Sequence, residues 1–244
     1  MLRSTIRIPI VLTLGLGLTL ALLWLLSSPG ARLPAARAAD LPQPASAPGD
    51  VLCVTLEGGT YPGCTQVFTN VQAAVDAASG GEIIKVAMGV YTGVIARAGI
   101  TQVVYISKTV IVQGGYTTTN WTTPYPITQP TTLDAQGQGR VMYITGNISP
   151  TIEGVRITGG KAYRLGGHIL PYGSSGYTFD AGGGVYIITA TTTLNNNHVF
   201  SNVAEIGNGL FLRSGNSTLS HNTISDNQTD SVGYYFGHGW PWLS

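Results

Sequence analysis

Between residues 130 and 244 the carboxylates are Asp134, Glu153, Asp180, Glu205, Asp226 and Asp230, and no two of them are neighbours in sequence. Acid–base cleavage of a glycosidic bond needs two carboxyl groups facing one bond, and a calcium ion needs several oxygen ligands at once. Spacing offers one such pair. Glu205 and Asp230 lie 25 residues apart, and if the chain repeats with that period they stand about 5 Å apart on adjacent strands. The pair could hold Ca²⁺, the one cofactor the sequence suggests, although two solvated turn residues are the plainer explanation. Arg156, His198 and Thr223 fall at equivalent positions of the chain, with Glu153, Asn195 and Ser220 beside them. An Arg and a His on adjacent strands could bind an acidic sugar and, with Asp180, are the candidate catalytic groups; ordinary surface polarity accounts for them too. Asp134 and Arg140 flank a Gly-Gln-Gly turn and read as a local pairing, and His221 has no evident base partner.

Sugar binding asks for less, because aromatic faces stack on sugar rings and a few polar groups orient the hydroxyls. Trp121, Tyr125, Tyr163, Tyr172, Tyr177 and Asp180 meet that composition. All six sit in two irregular stretches, residues 116–130 and 161–181, and the competing role of the aromatics is to pack those loops onto the rest of the fold.

The element that must position these residues is a repeat. Residues 182–206 and 207–231 align without a gap: Gly182, Gly184, Thr193, Leu194, Asn197 and Asn202 recur as Gly207, Gly209, Thr218, Leu219, Asn222 and Asn227. A period of 25 residues is too short for a compact domain and fits one coil of a solenoid, whose apolar face is buried only by stacking on the next coil. Leu194 and Val199 are five apart, so a straight strand would send them to opposite faces. A bend must lie between them, and Asn197 is expected to supply it. Asn197 over Asn222 and Asn202 over Asn227 are expected to form amide ladders.

Composition and the N-terminus set the context. Charged side chains make up 9% of the chain, and the 33 glycines make its surface neutral and turn-rich. Arg3 and Arg7 precede an apolar stretch at residues 10–26, and Ala36-Arg37-Ala38 resembles a cleavage site. Residues 1–38 therefore read as a secretory signal, with an uncleaved anchor as the alternative. Cleavage leaves eight basic against eleven acidic residues, a balance that excludes nucleic acid as a partner. A Pro/Ala-rich linker reaches residue 50. Cys53 and Cys64, the only cysteines, suit a disulfide-closed loop in an oxidising compartment.

Thr69 and Gln72 have capping-box spacing ahead of an apolar stripe of Val71, Ala74, Val75 and Ala78, which predicts a helix over about 69–80 ending at Gly80. The strand-like Ile83-Ile84-Lys85-Val86 and the Gly89-Val90-Tyr91 turn follow. From Phe68 to Tyr91, and again at Leu133 to Arg140, Ile152 to Gly160 and the two 25-residue units, the chain resembles the pectin lyase-like right-handed parallel β-helices. The resemblance covers about residues 65–230. It implies an all-β solenoid over residues 51–231 with an N-terminal capping α-helix. On function it is less specific, since the superfamily holds lyases, hydrolases, esterases, adhesins and repeat proteins. The aromatic tail at 232–244 either folds across the last coil or marks a chain that continues further.

Together these features predict an extracellular or cell-surface protein that binds polysaccharide or cell-surface glycan without cleaving it. A polysaccharide lyase or glycoside hydrolase is the rival reading, and a purely structural repeat protein the third. Contact with a membrane is expected only through an uncleaved N-terminal segment.

Overall fold

The computed structural model describes residues 49–170 and 177–230. The signal or anchor segment, most of the linker, the aromatic tail and Tyr172 lie outside the described residues.

The chain is predominantly β. Three parallel sheets are each built from strands far apart in sequence. The first holds β1 (Val51–Val54), β2 (Gln66–Phe68), β3 (Ile83–Ala87), β7 (Ile111–Tyr116), β10 (Thr151–Glu153), β15 (Thr193–Asn195) and β19 (Thr218–Ser220). The second holds β4 (Gly89–Tyr91), β8 (Thr131–Asp134), β11 (Val155–Thr158), β16 (His198–Phe200) and β20 (Thr223–Ser225). In the third, β6 (Ile100–Ile106), β9 (Arg140–Thr145), β14 (Val185–Ile188) and β18 (Leu210–Arg213) run parallel, and β5 (Ile95–Arg97) closes the edge antiparallel to β6. Short β17 (Val203–Ala204) pairs with β21 (Gln228–Thr229).

Register follows the repeat. Leu194 pairs with Leu219, Val199 with Ile224, and Val185 with Leu210. The inward positions form continuous rows, of which Leu52, Ile84, Val112, Ile152 and Leu194 are one, each 2% exposed or less. Burying each such side chain contributes roughly 1.5–3 kcal/mol relative to leaving it in water. The rows leave little choice of register, because a slip of one residue would turn every apolar side chain outward.

The bend between Leu194 and Val199 is present, but its left-handed residue is Asn196 (φ 53°), with His221 (φ 55°) in the next unit, rather than Asn197. Asn197 is buried because its amide has another task. Its Oδ1 accepts from Val155 N–H, and its Nδ2 donates to Ile152 O and to Asn222 Oδ1. Asn202 repeats the pattern: Oδ1 accepts from Gly160 N–H, and Nδ2 donates to Ile157 O and to Asn227 Oδ1. The two amide ladders thus tie three successive passes of the chain together. They also explain one pair of the repeated glycines, since a Cβ on Gly184 would stand 2.8 Å from Asn202 Nδ2 and one on Gly209 2.7 Å from Asn227 Nδ2.

One helix occurs among the described residues, α1 (Val71–Ala77), and its apolar stripe joins the main core. Its N-cap is Asn70, whose side chain accepts from Ala73 N–H at 2.8 Å, one residue later than the expected Thr69. Its C-cap is Ala78, not Gly80, because the Ser79 and Gly80 N–H groups both turn to the Glu82 carboxylate. On α1, burial raises the pKa of Asp76, but hydrogen bonds from Arg97 and Gln72 and the charges of Arg97 and Lys108 outweigh it and hold the group below its usual value.

A disulfide joins Cys53 and Cys64 across a Cα–Cα distance of 5.6 Å. Cys53, Tyr116 and Trp121 form a second small core, with Tyr61 tilted against Trp121 at 5.6 Å. The stretch after β11 becomes an arm, β12 (Gly167–Leu170) antiparallel to β13 (Tyr177–Asp180), whose stem pairs Gly167 with Asp180.

Two outcomes test this account. Asn202→Ala is expected to lower unfolding free energy by about 2–4 kcal/mol in urea titration, since it orphans several buried groups, whereas Asn227→Ala costs less because its unit is more exposed. Arg97→Gln is expected to reduce stability above the unfolded Asp76 value near 3.8. That difference fades as pH falls through the lower folded value, when the carboxylate protonates in both proteins; acid unfolding curves measure it.

Candidate ligand groove at the base of the arm

The sequence-selected residues separate into those the fold consumes and those it presents. Trp121 is only 7% exposed. Its ring lies among Tyr61, Tyr116 and the disulfide, so it packs the core and offers no face to a sugar, contrary to expectation. Tyr125 is exposed. Tyr177 belongs to β13, of which only the backbone is described at that residue.

The Asp180 carboxylate is engaged by the backbone at the base of the arm. Its two carboxylate oxygens accept from the N–H groups of Arg164, at 2.5 Å, and Gly166, at 2.6 Å, which closes the turn into the arm. The Asp180 N–H donates in turn to Glu205 Oε2 at 2.7 Å. The Asp230 carboxylate lies 3.8 Å from Lys161 Nζ. Glu205 and Asp230 follow the in-register strands β17 and β21, and their carboxylates have different partners, the Asp180 N–H and Lys161; among the described residues no three His, Cys, Asp or Glu side chains group as metal ligands. Tyr163 stands at the same corner, 42% exposed, with Lys161 and Arg164 within 5.5 Å and 5.0 Å of its ring.

Arg156 pairs in register with His198, and His198 with Thr223, as expected. His198 Nε2 contacts Ser225 Oγ at 3.2 Å and its ring stacks on Phe200. Neither Arg156 nor His198 has a carboxylate partner among the described residues, so the geometry of an activated acid or base is missing here. The Glu153 carboxylate instead bridges Gln113 and Asn195. Asp134 caps the N–H of Gln136, and Arg140 does not pair with it.

Arg140 belongs to a feature that the pattern of residues did not announce. On the outward face of the third sheet Tyr105, Tyr143, Tyr186 and Phe211 stack in register, with ring centroids 5.5, 5.1 and 5.4 Å apart and planes within 20° of parallel. The alternation Val104-Tyr105-Ile106, Met142-Tyr143-Ile144 and Val185-Tyr186-Ile187 sends the rings outward because their neighbours fill the core. Arg140, fully buried, places its guanidinium 4.9 Å from the Tyr186 ring and 5.9 Å from that of Tyr143. Burial depresses its pKa, against the opposing effects of Tyr186, Tyr143 and Asp180. Burial likewise raises the phenol of Tyr143.

This ladder holds the arm by its stem. Arg140 Nε donates to Ala181 O and Nη2 to Gly166 O, while Tyr186 Oη and Arg213 Nη1 both donate to Gly167 O, at 2.6 Å and 3.1 Å. Gly167 has φ 134°, and a Cβ there would stand 2.8 Å from the Tyr186 ring. Between stem and ladder lies a groove of about 250 Å³ whose wall includes Ile100, Tyr143, Leu165, Thr178, Tyr186 and Arg213. Tyr143 and Tyr186 present ring edges here, because their faces are stacked within the ladder, and apolar edges beside a hydroxyl and guanidinium groups suit a small ring bearing polar substituents.

Tyr186→Phe removes one stem hydrogen bond worth about 1 kcal/mol. The amides of residues 166–168 are expected to exchange about fivefold faster while those of β14 hold their protection, a difference that hydrogen-exchange mass spectrometry reads. No family model, no curated protein and no solved structure matches this chain.

Proposed function

We propose that the chain is a right-handed parallel β-helix of the pectin lyase-like kind, exported to the cell surface or beyond, that binds glycan without cleaving it. In this reading α1 covers the first coil, and the three sheets are the faces of one solenoid. The successive return of the chain to each sheet in register supports it. A basic and apolar N-terminus and the Cys53–Cys64 disulfide support an exported protein.

The observation that carries the binding function is the groove between the arm and the aromatic ladder. It combines aromatic ring edges with fixed polar groups, and it occurs where the repeat is interrupted, the part of a solenoid free to vary without disturbing the core. Exposed Tyr125 and Tyr163 are further stacking surfaces. A non-catalytic role is favoured because Arg156 and His198 lack a carboxylate partner among the described residues and Asp180 is engaged by backbone amides.

The full chain is expected to retain a subset of glycans on an array, and Tyr143→Ala to weaken that binding about tenfold at a temperature where circular dichroism shows the variant still folded. Incubation with the retained polysaccharides should release no new reducing or unsaturated ends. Absent binding, or binding indifferent to Tyr143→Ala, would refute the groove as the site.

A further inference from the structure

The groove carries an unbalanced charge. Two guanidinium groups contribute to its wall, Arg140 and Arg213, and no Asp or Glu does. Arg140 is fully buried, and its Nη1 has no hydrogen-bond partner among the described residues. The partners of its other nitrogens are carbonyl oxygens, which satisfy N–H groups but leave the positive charge in place. Asp180, the acid that acts on Arg140 electrostatically, already has both oxygens occupied by the N–H groups of Arg164 and Gly166. Arg97 and Lys161 are answered by acids, Asp76 and Asp230, whereas Lys85 and Lys108, like Arg140, are held by carbonyl oxygens; Arg140 differs from those two in being fully buried.

A planar guanidinium fork matches the geometry of an oxyanion, and a buried positive charge without a bonded acid draws negative charge toward it. Arg213 is exposed, and only its Nη1 is engaged, by Gly167 O. Tyr143 offers the edge of its ring in the same wall, since Tyr105 and Tyr186 cover its two faces.

We infer that the groove selects a sugar ring carrying an oxyanion, a carboxylate or a sulfate ester, with Arg213 as its direct partner, Arg140 as the buried charge behind it and the edge of the Tyr143 ring in the wall beside it. The inference rests on the glycan-binding reading and adds the class of glycan. It makes Arg213 a specificity-determining residue.

Calorimetric titration of the full chain with three hexasaccharides tests it: uncharged chitohexaose, a hyaluronan fragment carrying carboxylates and a carrageenan fragment carrying sulfate esters. At least one anionic probe is expected to bind tenfold or more tighter than the uncharged one. Arg213→Gln should abolish that preference, and raising the salt concentration should reduce it. The tighter anionic probe identifies the group recognised. Equal binding of charged and uncharged probes, untouched by Arg213→Gln, would overturn the inference and leave glycan binding standing. No binding to any of the three, alongside an empty glycan array, would overturn both.

Discussion

The structure depends on buried amides that fix how one pass of the chain lies on the next. Apolar rows alone would accept some sliding along the strands, since one aliphatic side chain resembles another. An amide does not slide, because displacement leaves buried donors and acceptors unmatched. Asn197 and Asn202 each engage the backbone of the preceding pass and the amide of the following one. Every outward ladder on the sheets inherits that register, including the stacked aromatics.

With register fixed from within, the connections between strands are free to differ. One connection becomes a bend at Asn196, another the excursion that carries Trp121 into a disulfide-linked small core, and a third the arm. The arm brings a groove with it. Its stem turns because the Asp180 carboxylate gathers two backbone amides, and it stays on the third sheet because side chains of the ladder capture its carbonyl oxygens. The same carboxylate thereby has both oxygens committed to backbone amides.

What the sequence discloses and what it hides divide along the same line. The 25-residue phrase discloses strand pairing, the amide ladders and the presence of a bend, since these recur with the chain. It misplaces the bend by one residue, because Asn at both positions 196 and 197 offers two candidates and only burial distinguishes them. The aromatic ladder was hidden because its rungs are separated by 38, 43 and 25 residues, so only Tyr186 and Phe211 keep the period. Arg140 was hidden for a related reason: its partners are main-chain oxygens 26 and 41 residues away, and a carbonyl leaves no mark on residue type. Trp121 misled in the opposite direction, since an aromatic in an irregular loop reads as exposed until the disulfide beside it is seen to supply a core.

Arg140, Tyr186 and Arg213 come from three adjacent strands of one sheet, β9, β14 and β18, yet all grip a stem only a few residues long. Their contacts are to main-chain atoms of the stem, so they are indifferent to which side chains the arm carries farther out. The fold has in this way separated attachment from content. Substitutions, insertions and exchanges toward the tip can alter what the arm touches while the groove wall and the solvent face of the sheet stay as they are, which makes this the position from which new binding preferences can arise by drift and the natural point for grafting a foreign loop.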